Sequence, residues 1–337
     1  VKASNTFATA LYSGTRGNDL KIVIQANTDD TSKFDVITYL GTTKVDTQTV
    51  ATASELVAND YVTFKAAATL AVTASTPLAG GTNGTVDGAA YQAYADKIES
   101  YTYNTMGVVT TEDSIKKLFI AFNKRLRDEQ GIKFQLVIYN PTNADYMGVI
   151  GIKNKVTDED WSEASAVYWS TGAESGCAVN KSCQNKKYDG SFTIDTDYTQ
   201  SELTAAIKAG EFVFHNVNGD VRVLEDINTM VTTSDTEGDI FKDNQTIRVI
   251  DQLGNDDAVL FNTKYLGVVP NNASGRTSLW SDLVKIRQQL QDLGAIENFN
   301  DSDVTIEQGD SKKSVVVNSG IEVVNAMGKL YMTVTVS

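Results

Sequence analysis

Hydrophobic and polar positions change their period several times along the chain. In the first quarter the period is two: Leu20, Ile22 and Ile24 interleave with Lys21, Val23 and Gln25. A second run, Phe34–Leu40, passes through Gly41-Thr42-Thr43 into Lys44–Val50, which predicts strand, turn and strand. Thr, Ser, Asn, Val and Gly dominate here, and no helical period outlasts a turn or two. The expectation is a small β-sandwich or barrel-like module over residues 11–88, with residues 1–10 a linker remnant ahead of it. Leu78–Gly88 contains four glycines and reads as a turn-rich junction, with a helix over Ala89–Ser100 beyond it.

From there strands and helices alternate. Asn104–Val109 reads as a buried strand. Thr110, with Glu112 and Asp113 behind it, predicts a capping-box-like helix start. Ile115, Leu118, Phe119, Phe122 and Leu126 then share one helical face, and Gly131 terminates it. Phe134–Tyr139 and Met147–Lys153 predict further strands, so a βαβ-type unit with a partly parallel sheet is expected. A Trp-bearing helix is predicted over Glu159–Ser170, and Thr199 with Glu202 opens a short helix ending at Gly210. Phe212–Leu224 predicts a hairpin about Asn218-Gly219, the strongest such signal in the chain. Together, residues 89–224 read as an α/β middle domain.

Residues 225–337 read as a separate α+β domain. Ile247, Ile250, Leu253, Val259, Leu260 and Tyr265 favour one long helix weakened at Gly254. Leu279, Leu283, Ile286, Leu290 and Leu293 step by 4, 3, 4 and 3, an apolar seam on a helix closed by Gly294. Two heptads are too short for a coiled coil, so the seam is expected to pack on a sheet or helix. Strands follow at Asp303–Glu307, Ser314–Val317, Ile321–Val324 and Lys329–Val336.

Composition narrows the chemistry. The 337 residues carry 29 basic against 43 acidic side chains, a net charge of −14, which disfavours binding to phosphate backbones. No stretch approaches the roughly 18 apolar residues of a membrane helix, and no signal peptide is visible. His215 is the single histidine, which excludes zinc sites built on several imidazoles. It lies inside a predicted strand, and no GxSxG elbow accompanies it. Cys177 and Cys183 fit neither a redox CxxC nor a four-cysteine site, and are read as two free thiols. The glycines at 80–88 lack the GK[ST] ending of a phosphate loop. Acidic clusters at Asp158–Asp160, Asp195/Asp197, Asp256-Asp257 and Asp301/Asp303 match no EF-hand spacing and read as solvated loops. Neither a catalytic constellation nor a cofactor motif emerges, so a non-enzymatic chain with no cofactor is expected.

The feature that stands out is the C-terminal strand. Leu330, Met332, Val334 and Val336 alternate with Tyr331, Thr333 and Thr335, and no later element is expected to cover them. Such a strand pairs within its own domain or completes a neighbour's sheet.

Four stretches, in order, carry a family resemblance: Tyr12–Ile22 with its Gly-x-x-Gly-Asn; Leu78–Gly84; Val221–Met230 followed by Phe241–Asp251; and Ile321–Val336. Together they resemble the contractile tail sheath proteins of bacteriophages and phage-tail-like bacteriocins over about residues 11–337. The resemblance implies an outer β module, a central α/β domain and a C-terminal α+β sheath domain completed by strand exchange through residues 330–336. It implies stacked rings of subunits around a tail tube, with baseplate and tail terminator proteins as further partners and no nucleic acid or membrane insertion. It also implies a place in the virion tail or a tail-like particle, assembled in the bacterial cytoplasm. Members carry an N-terminal segment that reaches a neighbour, and this is expected to be missing here. The competing expectation is a secreted or surface β-rich adhesin or carbohydrate-binding module, suggested by the Thr/Asn/Gly-rich first third.

Overall fold

A computed structural model describes residues 1–336. The chain divides into two compact units, Val1–Ala90 and Tyr91–Ser337.

In the first unit, strands β1 (Ala8–Ala10), β2 (Leu20–Ala26), β3 (Phe34–Leu40), β4 (Thr43–Val50), β5 (Val62–Phe64) and β6 (Thr73–Pro77) form two antiparallel sheets. One is ordered β4-β3-β2-β6 and the other is the pair β1-β5. The period-two pattern explains the core. Leu20, Ile22, Ile24 and Val36 turn inward to meet Ala8, Ala10, Val62 and Leu78. The predicted hairpin forms with Leu40 opposite Thr43, and Gly41 supplies the left-handed φ of +60° at the turn.

Residues 1–10 are not the linker expected from the sequence. Ala3, Ala8 and Ala10 are buried, and Ser4 exchanges backbone hydrogen bonds with Ala79. The small side chains let this segment lie close against the sheet, so it is part of the module. The two glycine-bearing stretches Tyr12–Ile22 and Leu78–Gly84 meet in space. Asn18 exchanges two hydrogen bonds with the Gly81 backbone, and Asn83 Oδ1 accepts from Thr15 N at 3.0 Å. A Cβ on Gly81 would lie 2.5 Å from the Gly14 carbonyl oxygen, so only glycine fits.

The second unit is built around a four-stranded parallel sheet of order β10-β9-β8-β7. Helix α1 (Gly88–Ile98) leads to β7 (Thr105–Val108), α2 (Asp113–Glu129), β8 (Gln135–Tyr139) and β9 (Val149–Ile152). Then come α3 (Ala166–Ser175), α4 (Gln200–Lys208), β10 (Glu211–Phe212), β11 (Phe214–Val217) and β12 (Asp220–Val223). Leu136 and Ile138 face Ile115, Phe119, Phe122 and Leu126 of α2. Val137, Tyr139, Ile150 and Ile152 face α3 and the β11–β12 hairpin. Both faces are therefore covered, which is why the strands read as continuous apolar runs.

Local signals place several elements. Thr199 and Glu202 form a reciprocal capping box on α4, and Asn218 and Gly219 turn the hairpin with φ of 53° and 92°. Two expected helix starts differ. Helix α2 begins after Glu112, and Thr110 Oγ1 accepts from Glu112 N at 3.1 Å in a turn rather than a reciprocal box. The helix expected over 159–170 begins at Ala166. Trp161 lies outside it against Phe192, and Ser162 caps a single 3-10 turn at Glu163–Ser165.

Beyond residue 225 lie α5 (Asn244–Leu260), which continues through a π turn to Tyr265, and α6 (Ala273–Asp292). The strands β13 (Ile296–Glu297), β14 (Val304–Gln308), β15 (Val315–Ser319) and β16 (Glu322–Val323) form two separate antiparallel pairs, β13-β16 and β14-β15. The α6 seam is buried at Leu279, Leu283 and Leu290, and half-buried at Ile286. Leu293 departs from it. It is the C-cap residue, 57% exposed, and the core is continued by Ala295 and Ile296 after the Gly294 turn. Arg287 lies buried on α6 among these leucines, with Nη1 and Nη2 on Asp257 of α5 at 2.5 and 2.6 Å. Asp257, expected in a solvated loop, is thus an ion-pair partner on a helix.

Candidate assembly surface

The residues expected to act between subunits are the last of the described chain. After Val324, residues 325–336 adopt no helix or strand. Leu330, Tyr331, Met332, Val334 and Val336 are between 70% and 90% exposed, and Thr333 and Thr335 are exposed with them. Among the described residues, no backbone hydrogen bond joins 330–336 to the rest of the chain. The strand expected at Lys329–Val336 is therefore not paired within this chain, and seven residues of alternating character lie in solvent.

The root of this arm is fixed. Val324 N donates to Ala295 O at 3.0 Å. Gln245 Nε2 donates to Val324 O at 3.1 Å, and Gln245 Oε1 accepts from Ala326 N at 2.9 Å. Thr246 bonds the Asn325 side chain at 3.0–3.2 Å. Asp243 caps α5 through the amides of Gln245 and Thr246, so both clamp residues sit on a defined first turn. Burial, and secondarily the nearby Asp226, raise the Asp243 carboxyl to about 6. Further out, Lys329 Nζ pairs with Glu225 at 3.4 Å. Periodicity did not single out Gln245, Thr246 or Asn325. The available signal was an uncharged polar run, Asn244-Gln245-Thr246, opening an amphipathic helix.

The β14–β15 hairpin presents a complementary feature. Among the described residues each strand pairs with no strand but the other; Trp280 Nε1 donates to Val304 O at 2.9 Å at the start of β14, and Val316 and Val317 of β15 are exposed. An unpaired edge offers the N–H and C=O row an incoming strand needs.

Comparison with known proteins adds the family. Three family models match consecutive parts of the chain: the phage tail sheath protein beta-sandwich domain over residues 1–83, the central domain over 84–229 and the C-terminal domain over 236–337. The chain is 32% identical to the phage-like element PBSX protein XkdK of Bacillus subtilis (strain 168), over 99% of this chain and 78% of that one. It is 37% identical, with a TM-score of 0.79, to the sheath tail protein of Desulfitobacterium hafniense, covering 96% of this chain and 78% of that one. The chain belongs to the phage tail sheath family. At 13% identity, a TM-score of 0.58 and 76% coverage of each chain, the fold also recurs in the anti-feeding prophage helical sheath in its contracted state.

This sheath chain thus has three domains of mixed α and β content, in a structural family and not an enzyme family. Residues 1–10 fall within the β-sandwich match, and the central match ends at 229. The adhesin reading is displaced by family membership. His215 sits on β11 opposite Arg222, and burial together with that arginine lowers its basicity. Cys177 is half-buried and Cys183 buried, both as free thiols. No helix among the described residues is long and apolar enough to cross a membrane.

Proposed function

We propose that this sheath chain is the structural subunit of a contractile tail: it polymerises as stacked rings around a tail tube and contracts to drive that tube through a cell envelope. The observation that carries this reading is the arm itself, seven exposed residues of alternating pattern held only at their root. In this scheme residues 330–336 add to an open edge of another copy, for which the β14–β15 pair is the best-suited receiver.

Energetics favour a lattice over an isolated pair. Burying the four apolar side chains of one face gains roughly 6–12 kcal/mol, and ordering about eight residues costs a similar amount. One donated strand is near break-even, whereas many in a ring act at high effective concentration. Contraction is then a switch between two packings of rigid subunits, with the arms as tethers and no nucleotide needed. The C-terminal domain forms the inner layer against the tube and the β-sandwich projects outward. Partners are other copies of the chain, a tube protein, and baseplate and terminator proteins, with assembly in the host cytoplasm.

The test is deletion of residues 330–337. The shortened chain is expected to keep its circular dichroism and melting temperature and to sediment as a monomer, while the intact chain forms tubes or stacked rings by electron microscopy with a smaller tube protein co-purifying. A deletion variant that still assembles normal tubes removes the donated-strand mechanism.

A further inference from the structure

Below the root of the arm, α3, the 177–183 loop, the turn at Asp226 and α5 converge on a buried cluster. Glu174, Cys183 and Asp226 each bring one ligand atom within 4.8 Å of the other two, and all three are buried. Cys177, whose Sγ donates to Lys181 O at 3.4 Å, lines the same cavity as Glu174 and Arg248 and adds a second sulfur at the half-buried edge of the cluster. The Glu174 side chain is 0% exposed. Its Oε2 accepts from Arg248 Nη2 at 2.6 Å, but its Oε1 is buried with no partner. Arg248 supplies one positive charge against two buried carboxylates, Glu174 and Asp226, so the second still needs a proton or a further cation.

The other groups are held in place. Asp226 accepts from Cys183 N at 2.8 Å, Ser182 Oγ at 3.0 Å and Asn244 Nδ2 at 2.9 Å, and its Oδ2 lies 3.5 Å from Arg248 Nη2. A cavity of about 60 Å³ runs beside Glu174, Cys177 and Arg248 and offers an ion a way in.

We propose that Cys177, Cys183, Glu174 and Asp226 form a site for one thiophilic divalent cation, zinc above all. Two sulfurs and two carboxylate oxygens make the four donors of a tetrahedral zinc site. The sulfurs select against magnesium and calcium, which prefer oxygen alone. Binding releases the two thiol protons to solvent, along with any proton the carboxyl pair holds, and no electron is transferred. Arg248 on Glu174, with Ser182 and Asn244 on Asp226, supplies the outer bonds that orient ligands in metal sites. The cation would fasten α3 and its following loop to the start of the C-terminal domain. Sequence spacing hides the set, because Asp226 lies 43 residues beyond Cys183.

The experiment takes the 337-residue chain, stripped with chelator under reductant, and titrates it with zinc chloride, then with cobalt(II) as a spectroscopic substitute. The expected result is one zinc per chain, a raised melting temperature, and a thiolate-to-cobalt charge-transfer band. Cys183→Ser and Cys177→Ser should each weaken binding at least about tenfold, and Cys177→Ser should cut the band to about half, since one of two thiolates remains. Cys177 lies at the half-buried edge, so its variant reports on the site even if Cys183→Ser fails to fold. Absence of stoichiometric zinc uptake, a cobalt spectrum lacking the thiolate band, or affinity unchanged in Cys177→Ser overturns the proposal.

Discussion

Leu290 and Leu293 lie on the same predicted stripe, yet only Leu290 is inside the core. The helix ends between them, and the Gly294 turn hands the next core positions to Ala295 and Ile296. Leu290→Ala should therefore cost about 2–5 kcal/mol in urea unfolding, while Leu293→Ala should stay within about 0.5 kcal/mol. A pattern of apolar steps identifies which side of a helix faces inward, but not where capping stops it. Nor does it reveal that Arg287 sits within the same seam, because its partner Asp257 is 30 residues away. The same holds for Arg127 of α2, whose Nη1 and Nη2 reach Asp251 of α5 at 2.5 and 2.8 Å inside the protein. Asp251→Ala strands a buried guanidinium and should lower stability by about 3–5 kcal/mol, read as a drop in denaturation midpoint.

At the level of elements, what was legible is what is encoded locally. Helix α4 is announced by Thr199 and Glu202, the β11–β12 hairpin by Asn218 and Gly219, and the α2 face by the spacing of Ile115, Phe119, Phe122 and Leu126. Strand β13 was not legible, because two residues become a strand only through pairing with β16, where Ile296 meets Val323 and Glu297 meets Glu322. The start of α3 was misplaced because Ser162 caps one 3-10 turn before the helix proper. The β8–β9 connection also hides its anchor. Asp145, at a φ of 37°, accepts from the amides of Val231 and Thr232 at 2.7 and 3.0 Å and also pairs with the Thr232 hydroxyl. The Thr232 hydroxyl foremost, then the Thr232 and Val231 amides, depress the Asp145 carboxyl below its usual 3.8. A depressed carboxyl adds stability that is complete above 3.8 and is lost as the pH falls through the lower folded value. Asp145→Asn should thus be less stable than the parent at pH 7, with the gap closing in melts taken below about pH 4.

Across the whole chain, the order of weak cues carried the family, while the reason for them needed coordinates. Tyr12–Ile22 and Leu78–Gly84 belong together because Asn18 and Asn83 bind across them, a contact spanning more than 60 positions that no local window contains. The arm shows the opposite case: its alternation was plain in sequence, but its clamp by Gln245, Thr246 and Asn325 was not. In the free chain Lys329 is exposed and no backbone ladder protects residues 330–336. Brief trypsin treatment should cut after Lys329 first in the monomer, while assembled particles should resist at that bond, as measured by intact mass.

The unmated arm also has a cost for the cell that makes it. Leu330–Val336 is an uncharged run rich in β-branched and aromatic residues with neither proline nor glycine, the composition that seeds cross-β stacking. Translation that outpaces nucleation of new particles would leave such ends searching for one another in the wrong register. Under the proposed donated-strand scheme, supply of this polypeptide would have to match the number of growing particles.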